Sequence, residues 1–260
     1  MQKILSSDGT PIAFERSGKG PPVILIGGAL CDRSARASGT PLAALLASRL
    51  TVFSYDRRGR GDSGDTAPYS VAREVDDVAA LIAEAGGSAY VYGISSGAML
   101  ALEVAAQSRA TEKVALYEPP FVKNGGPVAP DDYLSRLEAL TAAGRRGDAV
   151  ELFLTQAVQM PAEVVAQMRR APFWPSLEAL GHTVIYDATI VDRCSSLGRF
   201  AEVAARTLVL AGASSPPWMR NAASALAASL PRGEHRLLEG QTHDVAPEVL
   251  ARALLEFFAA

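Results

Sequence analysis

Residues 89–99 read AYVYGISSGAM, two adjacent serines fenced by glycines at the end of a strand-forming run. A serine hydroxyl attacks a carbonyl only when a base takes its proton and when it stands clear of the backbone. A sharp turn from strand to helix lifts one side chain out, but it crowds the residues two before and two after, which must be small. Around Ser95 those residues are Gly93 and Gly97; around Ser96 they are Ile94 and Ala98. Isoleucine is a poor fit in a crowded turn, so Ser95 is the candidate nucleophile. The plainer alternative is a Gly/Ser helix start that only caps orphan amides. The strand AYVYG before the serines and the helix SGAMLALEVAAQ after them favour the turn.

A base must come from the three histidines, His182, His235 and His243. His182 lies in a helical stretch and His235 opens a strand. His243, in LLEGQTHDVAPE, follows the last expected strand in a short loop before the terminal helix. Open α/β sheets place their sites at the carboxyl ends of their strands, so His243 is the expected base. The negative oxygen that develops on attack needs backbone N–H donors aimed at it. The amide of Ser96, at the start of a helix, supplies one, helped by the helix dipole.

The elements that must position these groups are legible as alternation. PVILIGG, LTVFSYD, AYVYGIS, KVALYEP, RTLVLAG and HRLLEG read as strands; TPLAALLASRL, VAREVDDVAALIAEAG and SGAMLALEVAAQS read as helices. Near-continuous apolar strands alternating with helices predict an α/β fold: a mostly parallel sheet of roughly eight strands, with helices on both faces. KILSS and IAFERSG, joined by DGTP, predict an antiparallel hairpin at the sheet edge. Residues 121–201 have helical patterns and no convincing strand, and read as a helical cap inserted after the sixth strand, leaving 1–120 and 202–260 as the core.

Composition excludes several functions. The net charge of −3 carries no nucleic-acid signature, and the one dense basic cluster, Arg57, Arg58 and Arg60 in a Gly-rich stretch, reads as turn and surface chemistry rather than a phosphate site. No apolar run approaches bilayer length, the start lacks the apolar segment of a secretory signal, and Cys31 and Cys194 lack metal-ligand spacing. The expectation is a cytoplasmic protein acting on a small molecule, with no membrane and no nucleic-acid partner. There is no H-E-x-x-H, Walker loop or G-x-G-x-x-G after a strand, so no metal and no cofactor is expected.

The G-x-S-x-G of Gly93–Gly97 between strand and helix resembles the nucleophile elbow of the α/β-hydrolase superfamily, and YDRRGRGDSG at 55–64 resembles the D-x-R-G-x-G-x-S turn of many of its members. The resemblance covers the core; the cap matches only in position and helical character. It implies a Ser, acid, His order. The acid commonly follows the penultimate strand, here TLVLAGASSPPWM, which has no aspartate. Some members, including certain haloalkane dehalogenases, carry it one strand earlier, where this chain has Glu118. Related enzymes often read His-Gly-X in the oxyanion loop; this chain has Gly27-Gly28-Ala29, so the amide of Ala29 aligns as the second donor. The implied reaction is acyl transfer from an ester, a lactone or a C–C substrate, since a serine elbow does not suit dehalogenation or epoxide opening. Cys31 and Asp32 either line the pocket or belong to a plain loop. Phe173, Trp174, Tyr186, Trp218 and Met219 either form an apolar pocket wall, suiting a small hydrophobic substrate, or are cap core. The missing aspartate motivates a rival, a ligand-binding or sensory protein on a hydrolase scaffold.

Overall fold

The computed structural model describes residues 1–122 and 125–260. Its strands are β1 (Gln2–Leu5), β2 (Pro11–Ser17), β3 (Pro22–Ile26), β4 (Thr51–Tyr55), β5 (Tyr90–Ile94), β6 (Lys113–Tyr117), β7 (Arg206–Gly212) and β8 (Gly233–Leu238). They form one eight-stranded open sheet in the order β1-β2-β4-β3-β5-β6-β7-β8. The expected hairpin is present: β1 pairs antiparallel with β2, and β2 antiparallel with β4. Every other neighbouring pair is parallel.

Helices cover both faces, which is why the central strands read as apolar runs rather than alternating ones. On one face, α2 (Val71–Glu84), α3 (Ser96–Gln107) and α9 (Pro217–Ser229) pack Leu81, Leu100 and Leu226 into a core with Ile24, Phe53 and Val91. On the other, α1 (Thr40–Leu46) and α10 (Pro247–Ala259) bring Leu46, Leu254 and Phe257 against Val23, Val52 and Tyr92. Between β6 and β7 lie α4 (Tyr133–Ala142), α5 (Arg146–Leu152), α6 (Ala162–Met168), α7 (Trp174–Ala179) and α8 (Val184–Arg193). These helices have two small hydrophobic clusters of their own.

The last helix of this insertion is fastened to the core. Tyr186 stacks on Tyr69, centroids 3.9 Å apart, and Asp187 is buried against Arg57 and Arg60. Just beyond α8, Cys194 and Arg199 donate to Glu103 of α3. The expectation that Arg57, Arg58 and Arg60 are surface residues is therefore wrong: their relative exposures are 2%, 0% and 1%. Arg58 pairs with Asp77 and Asp8, and Arg57 with Glu74 and Asp187. A buried charge survives only when paired and hydrogen-bonded, and these partners come from distant parts of the chain.

The turn from β5 into α3 is as crowded as the glycine spacing predicts. Ser95 alone joins the two elements, at φ 55° and ψ −126°. A Cβ on Gly93 would lie 2.3 Å from the carbonyl oxygen of Gly97, and one on Gly97 would lie 2.4 Å from that of Gly27. Both obstacles are backbone and cannot swing aside.

Gly97→Ala is accordingly expected to destabilise the fold by about 2–3 kcal/mol through overpacking, read as a lowered urea midpoint. Glu103 supplies a pH-dependent test. Burial raises its pKa, but the Arg199 hydrogen bonds, with Cys194 and Arg193, outweigh that and hold it below the ordinary value. A depressed folded-state pKa gives stability that is present above the unfolded value, about 4.3, and is lost as pH falls through the folded one. Glu103→Gln should cost about 2 kcal/mol at pH 7, allowing for the part-exposed Arg199, and its urea midpoint should converge on that of the wild type as pH drops below about 4.

Candidate active site

Ser95 is half-buried at the carboxyl end of β5, in a backbone conformation that a non-glycine residue adopts at a cost of roughly 1–3 kcal/mol. Two neighbours hold it there. Its N–H donates to the carbonyl of Tyr117 at 2.9 Å, and its own carbonyl accepts from Ala98 N–H in the first turn of α3 at 2.9 Å.

Glu118 follows β6 directly, also at positive φ (46°), with its N–H donating to Leu210 of β7 at 2.9 Å. The side chain is buried and both carboxylate oxygens are used. Oε1 accepts from Gly212 N–H at 2.9 Å, and Oε2 lies 2.7 Å from Nδ1 of His243. This contact points Nδ1 at the carboxylate and turns Nε2 away from Glu118. His243 sits in the loop after β8 with its side chain 44% exposed. That loop is tied down by Gln241, whose Oε1 accepts from Ala246 N–H at 2.8 Å and whose carbonyl accepts from Ser214 N–H at 2.9 Å.

Tyr117 knits these groups together, and nothing in the sequence singled it out. Its carbonyl holds Ser95, while its hydroxyl donates to the carbonyl of Thr242, next to His243, at 2.5 Å. To a sequence reader it is one more aromatic in a buried strand. The amide of Gly212 was missed for the same reason, since a backbone donor leaves no mark in side-chain chemistry. Ser214 and Ser215 occupy the stretch after β7 where an aspartate is absent; Ser215 is buried and its hydroxyl has no protein partner among the described residues.

The loop after β3 lies against the serine. A Cβ on Gly28 would be 3.2 Å from Cβ of Ser95 and 3.1 Å from the carbonyl oxygen of Ile94, so any larger residue would have to push these neighbours back by a few tenths of an ångström. Ala29 is half-buried there, and Leu30 follows at φ 54°. Ser96 is buried at the first residue of α3, and its hydroxyl donates to Asp187 Oδ1 at 2.7 Å. Cys31 is half-buried beside this loop, and burial pushes its thiol pKa up, which disfavours a thiolate.

The aromatic residues expected around a pocket are dispersed. Trp174 is buried with Val150, Leu154 and Val165 inside the insertion, and Phe173 is 50% exposed. Tyr186 stacks on Tyr69, and Trp218, half-buried at the start of α9, packs against Gly126, where a Cβ would come within 2.8 Å of its ring. Among the described residues no group of three or more His, Cys, Asp and Glu side chains is arranged to hold a metal ion, and no helix is long and apolar enough to cross a membrane.

The arrangement places a hydroxyl, an imidazole and a buried carboxylate after the carboxyl ends of β5, β8 and β6, and the fold that carries them is shared with known proteins. The structure is similar to an alpha/beta hydrolase from Sphaerobacter thermophilus, with 52% sequence identity, a TM-score of 0.91, and 99% of this chain and 100% of that chain covered. It shares its fold with a thermophilic esterase from Thermogutta terrifontis (21% identity, TM-score 0.75, 100% and 98% covered). The same holds for an enol-lactonase from Burkholderia xenovorans (19% identity, TM-score 0.70, 100% of each chain covered). A sequence profile described as the alpha/beta hydrolase family matches residues 23–254, which takes in β3, the elbow, Glu118, the insertion and His243 alike, and the chain belongs to that family.

Proposed function

We propose that the protein is a serine hydrolase that cleaves an ester-like carbonyl bond of a small, largely apolar substrate through an acyl-enzyme. The observation that carries this reading is the 2.7 Å contact between His243 Nδ1 and a Glu118 carboxylate whose other oxygen is held by Gly212 N–H, at the carboxyl ends of strands parallel to the one that leads into Ser95. A charge-assisted, doubly anchored carboxylate fixes the tautomer and orientation of an imidazole, and that is what a general base at a serine requires.

In the proposed sequence Ser95 Oγ adds to the substrate carbonyl while His243 Nε2 takes its proton. The oxygen that becomes negative is met by the amides of Ala29 and Ser96. The imidazolium, stabilised by Glu118, returns the proton to the leaving group. Water, activated by the same imidazole, then attacks the acyl-serine, and Ser95 leaves with the proton restored. The residues named need no metal or organic cofactor for these steps. That an esterase and an enol-lactonase share the fold supports testing esters and lactones first. The two free cysteines, Cys31 and Cys194, suit a reducing cytoplasm. The helices α4–α8 serve as the cap over the site.

A fluorophosphonate probe should modify the wild type covalently at Ser95, read by peptide mass, and should leave Ser95→Ala unlabelled; a well-folded wild type that takes no label would favour a ligand-binding role instead. Once a turnover assay is established on p-nitrophenyl esters and lactones of graded size, Glu118→Gln should lower kcat by on the order of 10² or more with KM little changed. Unaltered turnover would remove Glu118 from the site.

A further inference from the structure

Four side chains with no place in the acyl-transfer steps lie in one buried cluster behind the elbow and the loop after β3. Asp187 of α8 accepts from Ser96 Oγ at 2.7 Å and Arg57 Nη1 at 2.8 Å on Oδ1, and from Arg60 Nη2 at 2.7 Å on Oδ2. Arg57 is also gripped by Glu74 of α2 through Nε and Nη2, at 2.7 and 2.8 Å. Two cations thus face two carboxylates with no solvent exposure to speak of. Burial acts to raise the pKa of Asp187, but the Arg60 and Arg57 guanidiniums overcome it and hold the carboxyl below its ordinary range.

Both arginines also reach the backbone of the loop after β3, Arg60 through the nitrogen that Asp187 leaves free and Arg57 through the nitrogen it shares with Asp187. Arg60 Nη1 donates to the carbonyl of Gly28 at 2.5 Å, and Arg57 Nη1 to that of Gly27 at 3.3 Å. The Gly28 carbonyl belongs to the same peptide unit as the N–H of Ala29. In a trans peptide the C=O and N–H point in opposite directions, and this bond is not among the cis ones. Holding the carbonyl toward the buried guanidinium therefore turns the Ala29 N–H the other way. A cation on the carbonyl oxygen also polarises the amide and strengthens its N–H as a donor. Ser96, which carries the other candidate donor, is fastened by its hydroxyl to the same Asp187.

We propose that Arg60 and Asp187 are positioning residues for the oxyanion hole: Asp187, supplied by the insertion, holds Ser96 and Arg60 together, and Arg60 sets the plane of the Gly28–Ala29 peptide. The inference rests on the serine-hydrolase reading. It ties α8 to the chemistry, because among the described residues Asp187 is the carboxylate that pairs with Arg60.

The test is Arg60→Lys, which keeps the positive charge beside Asp187 but has no planar fork to bridge it to Gly28. Active-site concentration is set by fluorophosphonate titration, so that loss of folded protein does not register as loss of rate. With a melting temperature near that of the wild type, kcat should fall about 10- to 100-fold, as for a weakened oxyanion donor, while KM changes less than about threefold. Affinity for a trifluoromethyl ketone, which Ser95 Oγ attacks to give a hemiketal oxyanion with its proton on His243, should fall in parallel. Affinity for the matching alcohol, which forms no oxyanion, should stay constant. A purely structural role would not separate the two ligands. Should Arg60→Lys fail to fold, Ser96→Ala carries the same comparison, since it leaves both arginines paired with Asp187. Folded variants with wild-type kcat and ketone affinity would overturn the proposal while the hydrolase reading stood. A wild type that takes no label at Ser95 would instead sink the hydrolase reading and this one with it.

Discussion

Backbone approaching backbone with nothing between is the constraint on which this molecule is organised. The ends of β3 and β5 and the first turn of α3 converge so closely that Gly93, Gly97 and Gly28 cannot carry a Cβ without displacing a neighbouring carbonyl or Ser95 itself. The close approach forces Ser95 into its left-handed conformation and puts its side chain at the apex of the turn. It also brings the Gly28–Ala29 peptide and the Ser96 amide to the same place. One packing event therefore sets the placement of the Ser95 side chain and of both candidate oxyanion donors.

Around that turn, the groups that matter are held by contacts that cross strand boundaries. Glu118 rises from β6, is anchored to an amide at the end of β7, and reaches an imidazole after β8. Tyr117 works in the opposite direction, binding Ser95 through its carbonyl and Thr242 through its hydroxyl. Rigid parallel strands in fixed register make such bridges possible, because a one-residue slip would invert which side chains face which surface. The architecture is thus a frame for holding three short loops at hydrogen-bonding distance.

Much of this was legible in the residue order. The elbow could be read because crowding leaves a local mark, two glycines two residues either side of a serine. The edge hairpin announced itself through DGTP, and the helical insertion through the lack of strand pattern after Phe121. The pairing of Glu118 with His243 was implied by the resemblance to α/β hydrolases, some of which carry their acid at that strand end, rather than by any local motif. What could not be read were partnerships formed across long sequence distances. Arg57 and Arg60 looked like a solvated basic turn because Asp187 lies far along the chain, in a helix whose own pattern says nothing of a guanidinium. Trp174 and Tyr186 carry the same composition signal whether they face a substrate or pack against Val165 and Tyr69 as they do here, and packing alone separates those fates.

Drawing its carboxylate from β6 has a consequence for the neighbouring segment. The stretch from Ala213 to Trp218 has no acidic side chain, and it is tied to the surroundings of Glu118 and His243 through backbone: the Gly212 N–H at its root donates to Glu118 Oε1, and the Ser214 N–H donates to the carbonyl of Gln241. It carries two adjacent prolines, Pro216 and Pro217, and a tryptophan, Trp218, at the head of α9. Because those bonds are made by backbone amides, side-chain changes along this stretch would leave the Glu118–His243 contact in place.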